Sequence, residues 1–175
     1  ALHGIRPIGT QALNMARIEA GFIITNMDFI PAHQAVREDR VRSPFELGLD
    51  WLISWDKGHF TGRRALLAEK AKGSEWALVG LDIEGNVSAE GSLIYHDRKH
   101  EVGYITAAVW SPTCKRNIAL AQVRRPYHAE KSGNIWVEVY ALRELQFHKL
   151  MLKATVCDRP FFKPARRTQT PPGQF

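Results

Sequence analysis

The sequence predicts an α+β protein in which a helix and an extended segment come first and short antiparallel strands follow. Three observations support this prediction. Apolar residues recur at helical spacing over residues 10–20, and from about residue 75 they alternate with polar residues at a period of two. Polar turns separate the alternating runs at intervals of roughly ten residues, which is typical of an antiparallel barrel or sandwich.

The first helix is expected at residues 10–20. Thr10 is placed to cap it, because a threonine hydroxyl can accept a hydrogen bond from a free amide of the first turn. Gly21 can adopt the left-handed conformation that ends a helix, and residues 22–24 then predict a short buried extended segment. The helix should present a broad apolar face made of Leu13, Ala16 and Ala20.

A polar loop and a second helix follow. Residues 30–43 are polar and mixed in charge and contain Pro31, so they predict an exposed loop. Thr61 is the expected cap of a helix that runs through Lys70 and ends near Gly73.

The remainder of the chain has the pattern of strands. Residues 102–110 are apolar on both sides, as expected for a central strand. The stretch 160–175 contains four prolines and predicts an extended tail. We place the boundary between the helical part and the strands near residues 70–75. Three further runs alternate apolar and polar residues, with one apolar face each, at 77–83, 135–141 and 150–156.

Composition excludes several classes of protein. The longest apolar runs are far shorter than the ~20 residues that a membrane-spanning helix needs. The net charge is +6, but acidic residues are interspersed among the basic ones, so no face concentrates positive charge as a nucleic-acid-binding surface does. We therefore expect no membrane and no nucleic acid as partners. Cys114 and Cys157 form no spaced motif, which favours a reducing, cytoplasmic location.

Candidate metal ligands and nucleophiles give no site. None of the seven histidines has the spacing of a zinc site, and His96 and His100 flank a charged turn, where they should lie in solvent. Cys114 stands beside Lys115 and Arg116, which would favour a thiolate, but an ordinary loop cysteine is the favoured interpretation. We therefore predict no metal site and assign no catalytic residue.

Arg17 and Glu19 lie on the first predicted helix. Two residues apart, they point about 200° from each other, so they cannot both face solvent on an amphipathic helix. One of them must lie on the packed side, and a buried arginine needs an anionic partner. That partner is either an internal carboxylate, which the residues alone favour, or the carboxylate of a ligand.

Several stretches together resemble one family, the folate-binding aminomethyltransferases, which comprise the glycine-cleavage T-protein and its relatives. Residues 15–21 (MARIEAG) resemble the family's L-R-L-E-A/K-G helix motif, and Asp28 follows at the expected distance. Residues 43–49 (SPFELGL), 56–66 (DKGHFTGRRAL) and 160–162 (PFF) resemble three later elements. The matches run in order from about residue 9 to 164, and it is this order that makes the resemblance specific.

The resemblance implies a division of the chain. Residues 1–70 would be the C-terminal part of an incomplete folate-binding domain with its helix and strand, residues 75–160 an antiparallel β-barrel domain, and residues 161–175 a tail. Because Ala1 replaces an initiator methionine and the family's N-terminal half has no counterpart, we expect a fragment. The carboxylate that positions the reacting folate nitrogen in the family belongs to that half, so the isolated chain is expected to be inactive.

The resemblance also implies chemistry for the parent protein: transfer of a one-carbon unit from a small donor to the cofactor tetrahydrofolate. Arg17 matches a family arginine that meets the outer part of folate, and a guanidinium suits the glutamate carboxylates there. A tetrahydrofolate-dependent demethylase and a non-catalytic folate-binding module are the alternatives. Thr25 and Asn26 stand where relatives have an aromatic residue and glycine. A homodimer through the N-terminal helix would cover the apolar face of that helix.

Overall fold

The computed structural model describes residue 4 and residues 6–170, and in this part of the chain a closed antiparallel barrel follows two short α-helices. The strands are hydrogen-bonded in the order β1-β4-β3-β2-β5-β6, and β6 closes on β1. The predicted α+β class is confirmed, and the strands form a barrel rather than a sandwich. The elements are α1 (Thr10–Glu19), α2 (Arg63–Lys72), β1 (Trp76–Ile83), β2 (Leu93–His96), β3 (His100–Ser111), β4 (Arg116–Arg124), β5 (Ile135–Arg143) and β6 (Gln146–Cys157).

The barrel interior is the main hydrophobic core. Alternate residues of each strand point into it, because successive side chains of a strand lie on opposite faces of the sheet. The faces predicted at 77–83 and 135–141 line this interior, as do Ala154 and the half-buried Leu150, Leu152 and Val156 of β6. The alternating pattern of the sequence therefore identified the inward side chains correctly.

A second, smaller core lies on the outer face of the barrel, where α1 and the segment after β6 cross β1, β3 and β4. Because this outer face is also covered, strand residues with outward side chains are buried there as well, which explains the apolar character of β3 on both sides. The pattern of β1 had suggested only one buried face. The buried residues of this outer cluster are Ile18, Leu78, Ala107, Ile118, Leu120 and Phe161.

Both helices begin at a glycine rather than at a threonine cap, so the two predicted caps are wrong. Gly9 occupies the cap position of α1, and its carbonyl accepts a hydrogen bond from the Leu13 amide at 3.1 Å. Thr10 is therefore already helical. Gly62 precedes α2 with φ +91°, a left-handed conformation that glycine adopts at little cost and threonine does not. Thr61 consequently lies outside the helix.

The predicted extended segment 22–24 is not buried. Phe22 is 66% exposed and Ile24 is 41% exposed, whereas Ile23 packs against the outer core. The apolar face of α1 points outward too, since Leu13 is 58% exposed. The helix packs through Ile18 instead. The neighbouring charged residues, Arg17 and Glu19, face polar groups of the protein.

His96 is not in solvent as predicted, whereas His100 is exposed. The 3-10 turn Tyr127–Ala129 follows β4 and places the Tyr127 ring 4.8 Å from the imidazole of His96, so that the histidine is largely covered. The predicted loop at 30–43 is mostly exposed.

The segment that follows the exposed loop is docked onto the barrel through Glu46, which is buried. The Glu46 Oε1 atom accepts a hydrogen bond from the Trp76 amide at 3.1 Å, and the Glu46 carbonyl accepts one from the Leu78 amide at 2.7 Å. These bonds fix Leu47 and Gly48 beside the end of α1.

A candidate ligand site beside helix α1

Arg17 lies in the last turn of α1 and is only 6% exposed. Its Nη1 atom donates a hydrogen bond to Asp28 Oδ2 at 2.6 Å, and its Nε atom donates one to Asn14 Oδ1 at 2.8 Å. Nη1 also lies 3.3 Å from the carbonyl oxygen of Phe22. Within the described part of the chain, Nη2 is buried without a hydrogen-bond partner. An internal carboxylate thus binds Arg17, and one nitrogen of its guanidinium group is left without a partner.

Asp28 connects α1 to the barrel. Its side chain is fully buried, and its Oδ2 atom accepts a second hydrogen bond, from the Ile24 amide, at 2.8 Å. Its Oδ1 atom accepts a hydrogen bond from Thr106 Oγ1 of β3 at 2.6 Å. Gln122 of β4 donates a longer bond, at 3.4 Å, to the Asp28 carbonyl. Because charge-assisted hydrogen bonds are the strong ones, this carboxylate fixes the position of Arg17 relative to the sheet.

Glu19 is buried as well, although its direction on the helix differs from that of Arg17. Its Oε1 atom accepts a hydrogen bond from Ser111 Oγ at 2.5 Å, and its carbonyl oxygen accepts hydrogen bonds from the amides of Phe161 and Phe162. The sequence required only one of the two charged residues to be buried. Both are buried because the 22–28 segment covers one side of α1, and the residues after β6 cover another.

A groove of about 360 Å³ lies between the exposed side of α1 and the segment that follows β6. Its walls are mostly apolar and include the rings of Phe22 and Phe162, and two arginines of a 3-10 turn stand at its rim. Such a groove suits a flat, largely apolar molecule that carries an anionic group, because the rings supply contact area and the guanidiniums bind carboxylates. The lining residues are Ala16, Glu19, Ala20, Phe22, Pro160, Phe162, Pro164, Arg166 and Arg167.

The backbone explains why an asparagine is suited to position 26. Asn26 has φ +67°, and asparagine is among the few residues other than glycine that adopt this conformation readily. The turn is closed by a hydrogen bond from the Asn26 amide to the Phe29 carbonyl at 2.8 Å. The turn that carries Asp28 is therefore formed, and Thr25 is exposed.

The two cysteines are free. Burial raises the pKa of the Cys157 thiol to about 11, so this side chain is protonated at neutral pH. Cys114 packs against the outer core, and its amide donates to Ser111 Oγ at 2.9 Å. The described residues contain no cluster of three or more histidine, cysteine, aspartate or glutamate side chains that could bind a metal ion.

Comparison with known proteins decides the family. Residues 77–163 match the glycine cleavage T-protein C-terminal barrel domain. The chain belongs to the glycine cleavage T-protein family. This match falls on the barrel, and relatives with similar sequences extend the similarity over the helical part.

Curated relatives include aminomethyltransferases and one larger protein. The chain is 33% identical to the aminomethyltransferase of Thermosynechococcus vestitus over 94% of its own length and 40% of that protein. It is 34% identical to the trimethylamine-oxide aldolase of Ruegeria pomeroyi over 94% of its length and 19% of that protein. The chain thus spans about two-fifths of the length of the aminomethyltransferases that it matches.

The fold agrees with a solved structure of the family. The crystal structure of the glycine cleavage system aminomethyltransferase T from Bartonella henselae superposes with a TM-score of 0.72 at 21% identity. The superposition covers 89% of this chain and 39% of that one. Among the described residues, no helix has the length and apolar character required to cross a membrane.

The sequence indicated that Arg17 or Glu19 would be buried, but it did not indicate which residues surround Arg17. Asp28 follows the stretch that resembles a family helix motif, but nothing in the sequence indicates that Thr106 bonds to its carboxylate. The sequence places Arg166 and Arg167 in a predicted tail and does not indicate the groove that they line. Their proline-rich surroundings were the available signal, since an extended segment can lie across a neighbouring element.

Proposed function

We propose that the intact protein transfers a one-carbon unit to tetrahydrofolate and that this chain forms one wall of the folate site. The observation that carries the proposal is the apolar groove beside α1 with two arginines at its rim. Folate has a flat, partly aromatic body and ends in glutamate carboxylates, so the groove offers surfaces for both parts. Family membership supports the same reaction, because aminomethyltransferases in general depend on folate.

Tetrahydrofolate would supply the nitrogen atoms that accept the one-carbon unit, and the residues of this chain would bind and orient it. Arg166 and Arg167 would bind a glutamate carboxylate at the rim of the groove. Arg17 is proposed to donate a hydrogen bond to the ligand from its Nη2 atom, which is not bonded to Asp28 and has no partner. With its Nη1 atom bonded to Asp28 and its Nε atom bonded to Asn14, the guanidinium is held in one orientation before the ligand arrives.

No residue of this chain is assigned a catalytic role. In the proposal the reacting nitrogen is positioned by a carboxylate in the half of the family that lies outside this chain, and transfer proceeds by positioning and proton transfer. The domain division 1–70, 75–160 and 161–175, a cytoplasmic location and a homodimer through the outward face of α1 are parts of the same proposal. Similarity to trimethylamine-oxide aldolase gives a specific reason to keep a tetrahydrofolate-dependent demethylase as the second candidate.

The test is a calorimetric titration of tetrahydrofolate into the intact protein and into three variants. Arg166→Gln and Arg167→Gln should each weaken binding by about 10-fold or more, which is the scale of a charge-assisted hydrogen bond. Arg143→Gln changes an exposed arginine at the end of β5, away from the groove, and should bind as the wild type does.

Transfer assays with aminomethyl, N-methyl and S-methyl donors then separate the transferase from the demethylase. A protein that binds tetrahydrofolate but transfers nothing from any donor would be the non-catalytic module. Absence of tetrahydrofolate binding by the intact protein would refute the proposal, as would turnover by the isolated 175-residue chain.

A further inference from the structure

The hairpin of β5 and β6 extends beyond the barrel as a two-stranded ribbon. Within the described chain, β2 pairs with β5 only as far as Val137, and β1 pairs with β6 only from Ala154 onward. Between these points the strand pairing of β5 and β6 is with each other alone, and every residue from 142 to 149 is exposed. The end of this ribbon therefore presents both of its faces to the surroundings of the barrel.

The alternation of apolar and polar residues is inverted at the end of the ribbon. The inward positions of β5 are apolar as far as Ala141, which is buried, but the next inward position is the exposed Arg143. Gln146 and His148 lie opposite these two residues and share their face. A polar inner face with an apolar outer face is the pattern of a ribbon whose outer face is covered. The apolar residues of the outer face are Tyr140, Leu142 and Phe147.

These three residues and Leu145 at the turn, here called the ribbon patch, are extensive enough for a protein contact. Each of the four is between 57% and 93% exposed. At about 200 Å² for a whole side chain of this size, the ribbon patch leaves roughly 550 Å² of surface in water. The largest apolar patch of a typical monomer is about 300–600 Å² and is often functional, so the ribbon patch lies at the upper end of that range.

The turn itself does not account for the leucine at the tip. Glu144 and Leu145 have φ +49° and +65°, so both adopt the left-handed conformation of a two-residue hairpin turn. Asn-Gly and Asp-Gly are the usual sequences for such a turn, because they adopt this conformation readily. A leucine at this position is explained by contact with another apolar surface.

The charges beside the ribbon patch compensate one another. The Glu138 carboxylate accepts a hydrogen bond from the Tyr140 hydroxyl at 2.8 Å and pairs with Lys149 Nζ at 2.6 Å. These groups therefore do not favour a strongly acidic or a strongly basic partner. Arg143 and Glu144 carry opposite charges next to each other at the tip, so a second copy related by two-fold symmetry can offer each of them an opposite charge.

We propose that the ribbon patch is a dimer surface at which two copies of this protein meet about a two-fold axis. A symmetric contact needs no second kind of surface, because the same patch supplies both sides. Covering the patch on both copies removes on the order of 1,100 Å² from water, which reaches the ~1,000 Å² that a specific interface needs. This surface is separate from the outward face of α1, and the inference does not rest on the proposed function.

The experiment is analytical ultracentrifugation of the intact protein over a range of concentrations. The wild type should dimerise, and the double variant Leu142→Thr, Phe147→Thr should weaken the dimer by about 100-fold or more, because two large apolar side chains are lost from the interface. Threonine suits a strand, and both positions are exposed, so the variant should fold as the wild type does. Val36→Thr, at a fully exposed position of the 30–43 loop, is the matched control and should dimerise normally.

Leu13→Gln on the outward face of α1 separates the two surfaces. A dimer that is lost in Leu13→Gln but retained in the double variant would overturn the proposal, as would a monomeric wild type. Hydrogen exchange then identifies what covers the ribbon. Amides of residues 140–149 should be protected in the dimer and lose this protection on dilution to the monomer. Protection that persists in the monomer would mean that another part of the intact protein covers the patch, and the dimer surface would be refuted.

Discussion

Replacement of Arg17 by alanine tests the buried ion pair from which the candidate site is built. Arg17 is 6% exposed and Asp28 is 1% exposed, and their side chains meet at 2.6 Å. Removal of the guanidinium leaves the carboxylate buried with two donors, the Ile24 amide and Thr106 Oγ1. Breaking a buried pair typically costs about 3–5 kcal/mol, and we expect the lower half of that range because these two donors remain.

For a chain of this length, each kcal/mol lowers the melting temperature by roughly 2–4 °C, so Arg17→Ala should lower it by about 6–15 °C. Differential scanning calorimetry on the 175-residue chain measures this effect, with Arg143→Ala as the exposed control. The double variant Arg17→Met, Asp28→Asn should recover part of the loss, because it removes the uncompensated buried charge and keeps the side-chain oxygen as an acceptor for one of these two donors. A melting temperature within a degree or so of the wild type in Arg17→Ala would refute the ion pair.

The same substitution in the intact protein separates the structural role of Arg17 from its proposed ligand role. If Nη2 binds a folate carboxylate, Arg17→Ala should weaken tetrahydrofolate binding by roughly 1.5–3 kcal/mol. The loss should be larger for folates with a free α-carboxylate than for analogues that end before the glutamate. Unchanged affinity together with a large drop in stability would remove Arg17 from the ligand site and leave it as the partner of Asp28 alone.

Two further predictions concern the barrel. A Cβ atom at Gly103 of β3 would clash with the carbonyl oxygen of Gln122, so Gly103→Ala must separate β3 from β4 and should destabilise the chain by about 1–3 kcal/mol in urea denaturation. Arg143→Ala, which changes an exposed side chain at the end of β5, should leave the stability unchanged. Equal stability of the two variants would contradict the close approach of the strands. Burial raises the pKa of Cys157 above its ordinary value to about 11, so the thiol favours folding below the ordinary pKa and this contribution disappears as the pH rises from about 9 towards 11. The stability of Cys157→Ala should therefore fall less steeply over that interval than that of the wild type, and parallel curves would contradict the shift.

The sequence by itself determined the fold class, the family and the inward faces of the strands. These properties are local or nearly so. A period of two residues places alternate side chains on one face of a strand, and this was sufficient to identify the interior faces at 77–83 and 135–141. The family could be identified from an ordered set of short motifs, because comparing their order and spacing does not require knowledge of the contacts between distant residues. The helix starts were misplaced because glycines, at Gly9 and Gly62, took the positions expected for threonine caps.

Only the tertiary structure decided what the buried charges bind. Helical geometry required that Arg17 or Glu19 be buried, but the partners lie far along the chain: Thr106, which orients Asp28, is 78 residues after it, and Ser111 is 92 residues after Glu19. The groove likewise combines the end of α1 with residues that follow the last strand. Local periodicity indicates which face of a helix or strand is covered. It does not indicate which residues cover that face, because pairing across the barrel is set by the closure of the whole sheet.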